Sequence, residues 1–403
     1  MTPGADVIEL ARELIRAPSP NPPGDERAAA GAVAEAAAAL GLPPARRIAR
    51  EEQRPNLLTT LDFGPGGRHL VLSGHIDTKP LGDARWSVDP LAAEIDGDRL
   101  YGLGSADMKA AVAAMLTAAA SLLEDPPAAG RLSLLFTADE EDGAAFGARH
   151  VAATVPLEAD GVVIGEPGGI EEDYDRLHLV SRGIARMRLI ARADQGHSSL
   201  ADELGSRNAG VDAARAVVAV RDELEPETPP NRHELRGWHA TVNTGLAYRG
   251  GVGYGVLPGR VAVDTEVRLL PGMERPALTG AFEQALHALA GRTGAELELV
   301  FDDPPNDWLP ATLVEPGHPL AAVAERACAT ALGQVPPPAV FPGTTDATWF
   351  SELQDLPVLP ALGPGLLRRA HAADEWVSID AVRRAVGLYT AIAREFCGAE
   401  AAA

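Results

Sequence analysis

Cysteine is almost absent: Cys328 and Cys397 are the only two in 403 residues. Two cysteines build no disulfide framework, and they do not form the CxxC spacing of a thiolate metal site. A reducing cytoplasm is the expected compartment. The first residues, Met1 to Glu9, lack a basic n-region and do not read as a secretory leader. No apolar stretch reads as long and uncharged enough to span a bilayer. Positive charge is scarce too. The formal net charge of −22 and the lack of a basic patch exclude nucleic acid and anionic membranes as expected partners, because phosphates would be repelled. Internal repeats and low-complexity arrays are also missing, so the chain does not read as a scaffold.

With 46% hydrophobic residues, a chain of this length buries a large core and is expected to form two domains. Helical spacing of Val7, Ile8, Ala11, Leu14 and Ile15 predicts a helix over 5–17, stopped by the proline-rich loop 18–24. A second helix is expected to run from Asp25-Glu26 to about Leu40. Leu70 to Leu72 predicts a buried strand, with Ser73 and Gly74 turning the backbone out of the sheet before His75. Asp77 follows at i+2, where extended backbone puts it on the same face as the imidazole. Such a pair suits a metal-ligating histidine oriented by a carboxylate, although a surface loop uses the same spacing.

The pattern then repeats. A helix is expected over about Met108 to Leu123, preceded by Asp107. The strand Leu132 to Thr137 runs into Asp139-Glu140-Glu141-Asp142, ahead of a helix from Phe146 to Ala153, and the strand Gly161 to Ile164 runs into Glu166. Three apolar strands thus end in imidazole or acidic side chains, and ligands of open α/β sheets gather at carboxyl ends of strands. Segments 177–191, 207–221, 240–247, 260–269, 276–292 and 295–301 then spell β-α-β-β-α-β, a ferredoxin-like unit. After Pro304-Pro305 the α/β pattern resumes from His318: a helix to Leu332, a loop from Phe341 to Ala347, a strand from Val358 to Leu362 and a helix from Ile379 to Phe396. The fold class expected is α/β, with a discontinuous first domain (1–178 and 305–403) interrupted by an inserted domain (179–304).

His75, Asp107, Glu140, Glu141, Glu166 and His371 form a carboxylate-rich set without thiolate, suited to two divalent ions sharing a bridging carboxylate. Adjacent Glu140 and Glu141 can divide the work, one ligating and the other moving a proton. Each residue also has an ordinary use. Glu140 and Glu141 suit a solvated turn, Asp107 a helix cap, Glu166 an exposed loop and His371 a surface position near Arg368 and Arg369.

The motifs together resemble the M20 family of metallopeptidases and deacylases. They are Pro18-Ser19-Pro20-Asn21-Pro22, Gly74-His75-Ile76-Asp77-Thr78, Tyr101-Gly102 through Asp107-Met108-Lys109, Asp139-Glu140-Glu141, Gly165-Glu166-Pro167, His197-Ser198-Ser199 and Gly363-Pro364-Gly365 through His371. The resemblance covers nearly the whole chain and implies a zinc-peptidase-like catalytic domain with a lid that dimerises. It implies two metal ions, zinc with cobalt as the alternative: His75 and Glu166 on one, Glu141 and His371 on the other, Asp107 between them beside a cis bond to Met108. It further implies Glu140 as general base and acid, Asp77 as the partner of His75, and His197 reaching into the active site of the other subunit of a homodimer. Arg268 would bind a substrate carboxylate, where a surface salt bridge is its ordinary use, with Asn243, Gly343, Thr344 and Thr345 as further substrate contacts.

The expected reaction is hydrolysis of the amide bond of an N-acyl amino acid, acetylornithine deacetylase-like. Succinyl-diaminopimelate desuccinylase and dipeptidase or carboxypeptidase activity stand as alternatives, and a non-catalytic amino-acid binder as the reading from another class. A nicotinamide site at Gly102-Leu103-Gly104 fails, since Asp107 stands where the third glycine is needed. Leu103, Ala110, Gly255, Thr348 and Ser181 depart from the family pattern, and none is an expected ligand.

Overall fold

The computed structural model describes residues 6–399. Its central sheet has six strands in the order Arg46–Ala49, Pro55–Gly64, Gly130–Thr137, His69–His75, Gly161–Ile164, Val358–Leu359. The first pairings are antiparallel, and the last four strands run parallel. Register sets His75 beside Thr137, and Ser73 beside Ile164, so the carboxyl ends of the parallel strands finish abreast. That alignment brings the ligand-bearing loops together.

The strand pattern explains how the sheet is sandwiched. His69–His75 is buried along its whole length. Leu70 and Leu72 face a core shared with helices Val7–Arg16, Ala110–Glu124, Pro319–Leu332 and Ile379–Gly398. Val71 faces the opposite core with helices Ala148–Thr154 and Ala347–Gln354. A strand covered on both faces cannot alternate polar with apolar residues, which is why it reads as a continuous apolar run.

Several expectations need correction. Ser73 and Gly74 continue the strand to His75 instead of leaving it; Met108 lies against Gly74, where a Cβ would sit 2.4 Å from its methyl group. The first helix spans Val7–Arg16 and residue 5 lies outside the described residues. Glu26 is an N-cap whose side chain turns inward to Arg54, so it does not serve the first helical turn. Asp107 does not cap the next helix, which begins at Ala110 with Lys109 at its N-cap. The segment Ser105–Glu124 is long and apolar enough to pass as a membrane span, with mean hydropathy 1.4, contrary to the sequence reading. Its residues are mostly buried, because it is the core helix packed between Val7–Arg16 and Ile379–Gly398. The helix Ala347–Gln354 arises directly after the glycine- and threonine-rich loop and was not expected.

The run 177–191 is two strands, broken at Arg182. Leu177–Ser181 pairs with Thr312–Leu313 and Pro338–Phe341, whereas Gly183–Arg192 enters a second sheet. The second sheet orders Thr241–Gly250, Arg260–Leu269, Gly183–Arg192 and Glu296–Phe301, all antiparallel, with Trp308–Leu309 also on Gly183–Arg192. The division expected at 178 runs through the strand Leu177–Ser181, and pairing changes sheet at Arg182. Ala185, Met187, Leu189 and Ala191 pack under helices Ala209–Glu223 and Arg275–Thr293 in a separate core. Their neighbours Ile184, Arg186 and Arg188 therefore occupy the opposite face.

Candidate metal centre and active site

The parallel strand ends deliver four buried carboxyl or imidazole groups: His75 and Asp77 after one strand, Glu141 after the next and Glu166 after the third. Asp107 comes from the irregular turn Ser105–Lys109, where Asp107 and Met108 leave helical geometry and the bond between them is cis. His371, at φ +60°, enters from the loop before the final helix.

Asp107 is the centre of the cluster. Its Oδ1 lies 2.9 Å from His75 Nε2, and its Oδ2 lies 3.2 Å from His371 Nε2. Glu166 is 3.6 Å from His75 Nε2, and Glu141 is 3.1 Å from His371 Nε2. The structure thus brings together His75 with Glu166, and Glu141 with His371, on opposite oxygens of one carboxylate. Ligating atoms of His75, Asp107 and Glu141 lie within 4.8 Å of one another, as do those of His75, Glu140 and Glu166. Geometry alone therefore leaves Glu140 able to ligate as well as to move protons.

Electrostatics show what the cluster lacks. Burial opposes ionisation of Asp107, yet hydrogen bonds from His371 and His75 outweigh it and hold the carboxyl below its usual range. Burial drives Glu166 well above its ordinary value, with Asp107 adding to it. Burial also raises Glu140, with His75 opposing and Asp346, Glu141 and Asp107 adding. Burial works against protonating His371, but Asp107 and Glu141 lift it to about 10. So many buried carboxylates need positive charge, which protonated imidazoles supply incompletely. Two divalent cations fit this donor set of imidazole and carboxylate, and imidazoles that face carboxylates across 3 Å are placed to share ions with them.

Asp77 lies beside His75 and also serves the neighbouring turn. His75 Nδ1 meets the Asp77 main-chain oxygen at 3.0 Å, and its carboxylate only at 3.5 Å. That carboxylate also accepts the amides of Glu140 and Glu141 at 3.2 and 3.1 Å and the Asn21 amide at 2.9 Å. It pins the turn carrying both glutamates. Asn21 also donates to Asp139, which receives Arg54 at 2.6 Å, and Arg54 in turn holds Glu26 at 2.8 Å. Gly24 permits this: at φ +79°, a Cβ there would lie 2.1 Å from the Arg54 guanidinium.

A cavity of about 480 Å³ opens over the cluster. Glu140, Glu141 and His371 form its floor side, and Arg268, Thr344 and Thr345 also line it. Arg268 donates to Glu266 at 3.0 Å and to Thr344 at 3.3 Å. Two expected substrate contacts sit apart from the lining. Asn243 spends its amide on Glu266, and Gly343 offers its carbonyl to the Arg182 amide. His197 also lies away from the cavity, exposed on the second sheet's side, where its Nδ1 accepts from the Ser199 amide and hydroxyl.

Sequence reading missed several residues. Lys79 lines the cavity and pairs with Glu141 at 3.3 Å. Glu375 is buried and accepts the amides of Ala106, Asp107 and Gly104 at 2.8, 3.1 and 3.1 Å, clamping the turn that carries Asp107. Burial, with Asp107 adding, pushes its carboxyl up to about 8. Asp346 accepts the Thr137 hydroxyl at 2.9 Å at the cavity edge. One signal was available: Lys79 and Lys109 are the chain's two lysines, in a protein that otherwise uses arginine.

The model of peptidase family M20/M25/M40 matches residues 71–395, which include every residue of the cluster. The chain belongs to that family. Among M20 relatives, the succinyl-diaminopimelate desuccinylase of Parvibaculum lavamentivorans is 30% identical over 97% of this chain and 95% of its own length. The acetylornithine deacetylase of Salmonella heidelberg is 30% identical, covering 85% and 83%. The M20 metallo-carboxypeptidase Sso-CP2 of Sulfolobus solfataricus shares the fold, with TM-score 0.76, 18% identity and coverage of 97% and 99%. So does the YXEP protein of Bacillus subtilis, described as a dinuclear metal binding peptidase, with TM-score 0.68, 16% identity and 97% coverage of both chains. As an M20 enzyme the chain is a metallohydrolase of amide or peptide bonds, and the oxidoreductase and binder readings fall away.

Proposed function

We propose that the chain hydrolyses the amide bond of an N-acyl amino acid, as its deacetylase and desuccinylase relatives are named for. The observation that supports it is Asp107 shared between two imidazole–carboxylate pairs beneath a cavity that also holds Arg268 and Glu140. Two divalent cations, zinc with cobalt as the alternative, held by His75, Glu166, Glu141, His371 and Asp107, would polarise the scissile carbonyl and acidify a water. Glu140 takes a proton from the attacking water and returns it to the departing amine. A C–O bond forms, the C–N bond breaks, and carboxylic acid and amine leave. Arg268, a planar fork on the cavity wall, receives the amino acid's carboxylate. The cytoplasm is the compartment this reading assigns, and two buried free cysteines suit it.

The test is a panel of N-acetyl, N-succinyl and N-formyl amino acids and dipeptides, assayed with two equivalents of zinc or cobalt. Turnover of the N-acyl amino acids, abolished by chelator and restored by metal, is the expected result. Hydrolysis of dipeptides alone would overturn the assignment.

The same reading makes the protein a homodimer through the second sheet. Exposed Val211 and Val218 on one helix, with Leu246 and Tyr248 on the neighbouring strand, form an apolar face suited to a second copy. His197, remote from its own cavity, would then donate to the oxyanion in the other subunit, where one such donor contributes about 10²–10³ in kcat. His197→Ala should lose that much. Mixing it with Glu140→Ala and re-equilibrating should recover roughly a quarter of wild-type activity, because mixed dimers hold one complete site. No recovery would place His197 outside the partner's site.

A further inference from the structure

The cavity wall opposite the metal centre carries more positive charge than one substrate carboxylate requires. Arg186 lines the cavity from the strand Gly183–Arg192, on the face shared with Ile184 and across from Glu266 in register. Among the described residues its guanidinium makes no ion pair and no hydrogen bond; only its main chain is engaged, with Asp307 and Asp302. Arg188, two residues on, is by contrast paired with Asp264 and Asp302. Arg182 is buried and bonds only to neutral groups, Thr241, the Gly237 carbonyl and His239, with its Nε unpartnered. Glu266, in register with Arg186, already holds Arg268 and Asn243. Two guanidiniums, Arg186 and Arg268, therefore line this wall, and among the described residues only Arg268 is paired with a carboxylate. Among the other lining carboxylates, Glu140 and Glu141 belong to the proposed metal centre and Asp346 accepts the Thr137 hydroxyl.

Ile184, Leu309 and Trp349 line the same cavity and give Arg186 an apolar approach, suited to a short methylene stem. Charged groups that face a ligand cavity without a partner favour a ligand that supplies one, because the planar fork of arginine binds carboxylate bidentately. We infer that Arg186 is a second anion-binding residue, and that the preferred substrate is an N-acyl amino acid with two carboxylates: one for Arg268, the other carried on a short stem to Arg186. This rests on the N-acyl amino acid reading and narrows it. Ser181, beside Arg182, accepts the Thr345 amide at 3.3 Å and brings no charge of its own.

The second carboxylate can sit on the acyl chain or on the amino-acid side chain, and three probes separate these sources. N-succinyl-L-alanine carries it on the acyl group, N-acetyl-L-glutamate on the side chain, and N-acetyl-L-alanine lacks it. With metal-loaded enzyme, kcat/KM should be higher for at least one dicarboxylate than for N-acetyl-L-alanine. In Arg186→Gln that preference ratio should fall by about tenfold to a hundredfold, the range for a hydrogen bond to a charged group, and Arg186→Lys should fall between. A wild-type enzyme without the preference, or an Arg186→Gln variant that keeps it, overturns the inference. If none of the three probes is hydrolysed, the underlying reading fails instead. Calorimetric binding of the same probes to metal-loaded Glu140→Ala, with and without Arg186→Gln, then still decides the role of Arg186.

Discussion

Glu140→Ala is expected to keep two metal equivalents and lose nearly all turnover. The side chain lines the cavity, and the turn bearing it is fixed by the Asp77 carboxylate at 3.2 Å from its amide. Burial lifts its carboxyl well above the ordinary range, against the pull of His75 and with the negative charges of Asp346, Glu141 and Asp107 adding. A carboxylate so raised takes a proton more readily than an ordinary one, as the residue serving both halves of the reaction must. General acid–base catalysis contributes about 10²–10⁴, so kcat should fall by at least that amount. Metal content by atomic emission separates this role from ligation. Loss of one equivalent would make Glu140 a ligand, which its grouping with His75 and Glu166 geometrically permits. Near-normal kcat would remove it from the chemistry altogether.

Asp107→Asn should strip both metals, whereas His75→Ala should principally weaken one. The asymmetry follows from position: Asp107 turns one oxygen to each imidazole, at 2.9 and 3.2 Å. An amide of the same shape keeps one weak acceptor and presents a donor where the other stood, so a bridge between two cations is lost. Burying the remaining carboxylates without those cations should also lower the melting temperature by several degrees, about 2–4 °C per kcal/mol in a chain of this size or less. Two bound equivalents and unchanged activity in Asp107→Asn would show that the carboxylate does not bridge. A fall in activity with full metal content would instead place its role after metal binding.

How much of this was legible in the chain differs by residue. His75, Glu141 and Glu166 were readable because each follows an apolar strand, and the carboxyl ends of parallel strands must converge. The strand His69–His75, buried on both faces, announced itself by composition alone. The break at Arg182 did not. Residues 177–191 are apolar enough for one strand, and only pairing with two different sheets reveals the change. The helix Ala347–Gln354 was hidden for a similar reason: eight residues after a loop carry too few turns to show a period. Asp77 was legible as the neighbour of His75, 3.5 Å from its imidazole, whereas its hold on the Glu140–Glu141 turn is a contact made across 63 residues of sequence.

The sequence by itself determined the residue types at the strand ends, their order along the chain and hence the family and the hydrolytic chemistry. Only the tertiary structure decided that Arg54 and Glu26 brace the glutamate turn, that Glu375 clamps the turn of Asp107, and that Arg186 faces the cavity without an anion. The reason is physical. Ligands at strand ends follow from local patterns repeated in register, whereas a buried ion pair or an unpaired guanidinium is defined by groups that sequence separates widely and folding alone brings together.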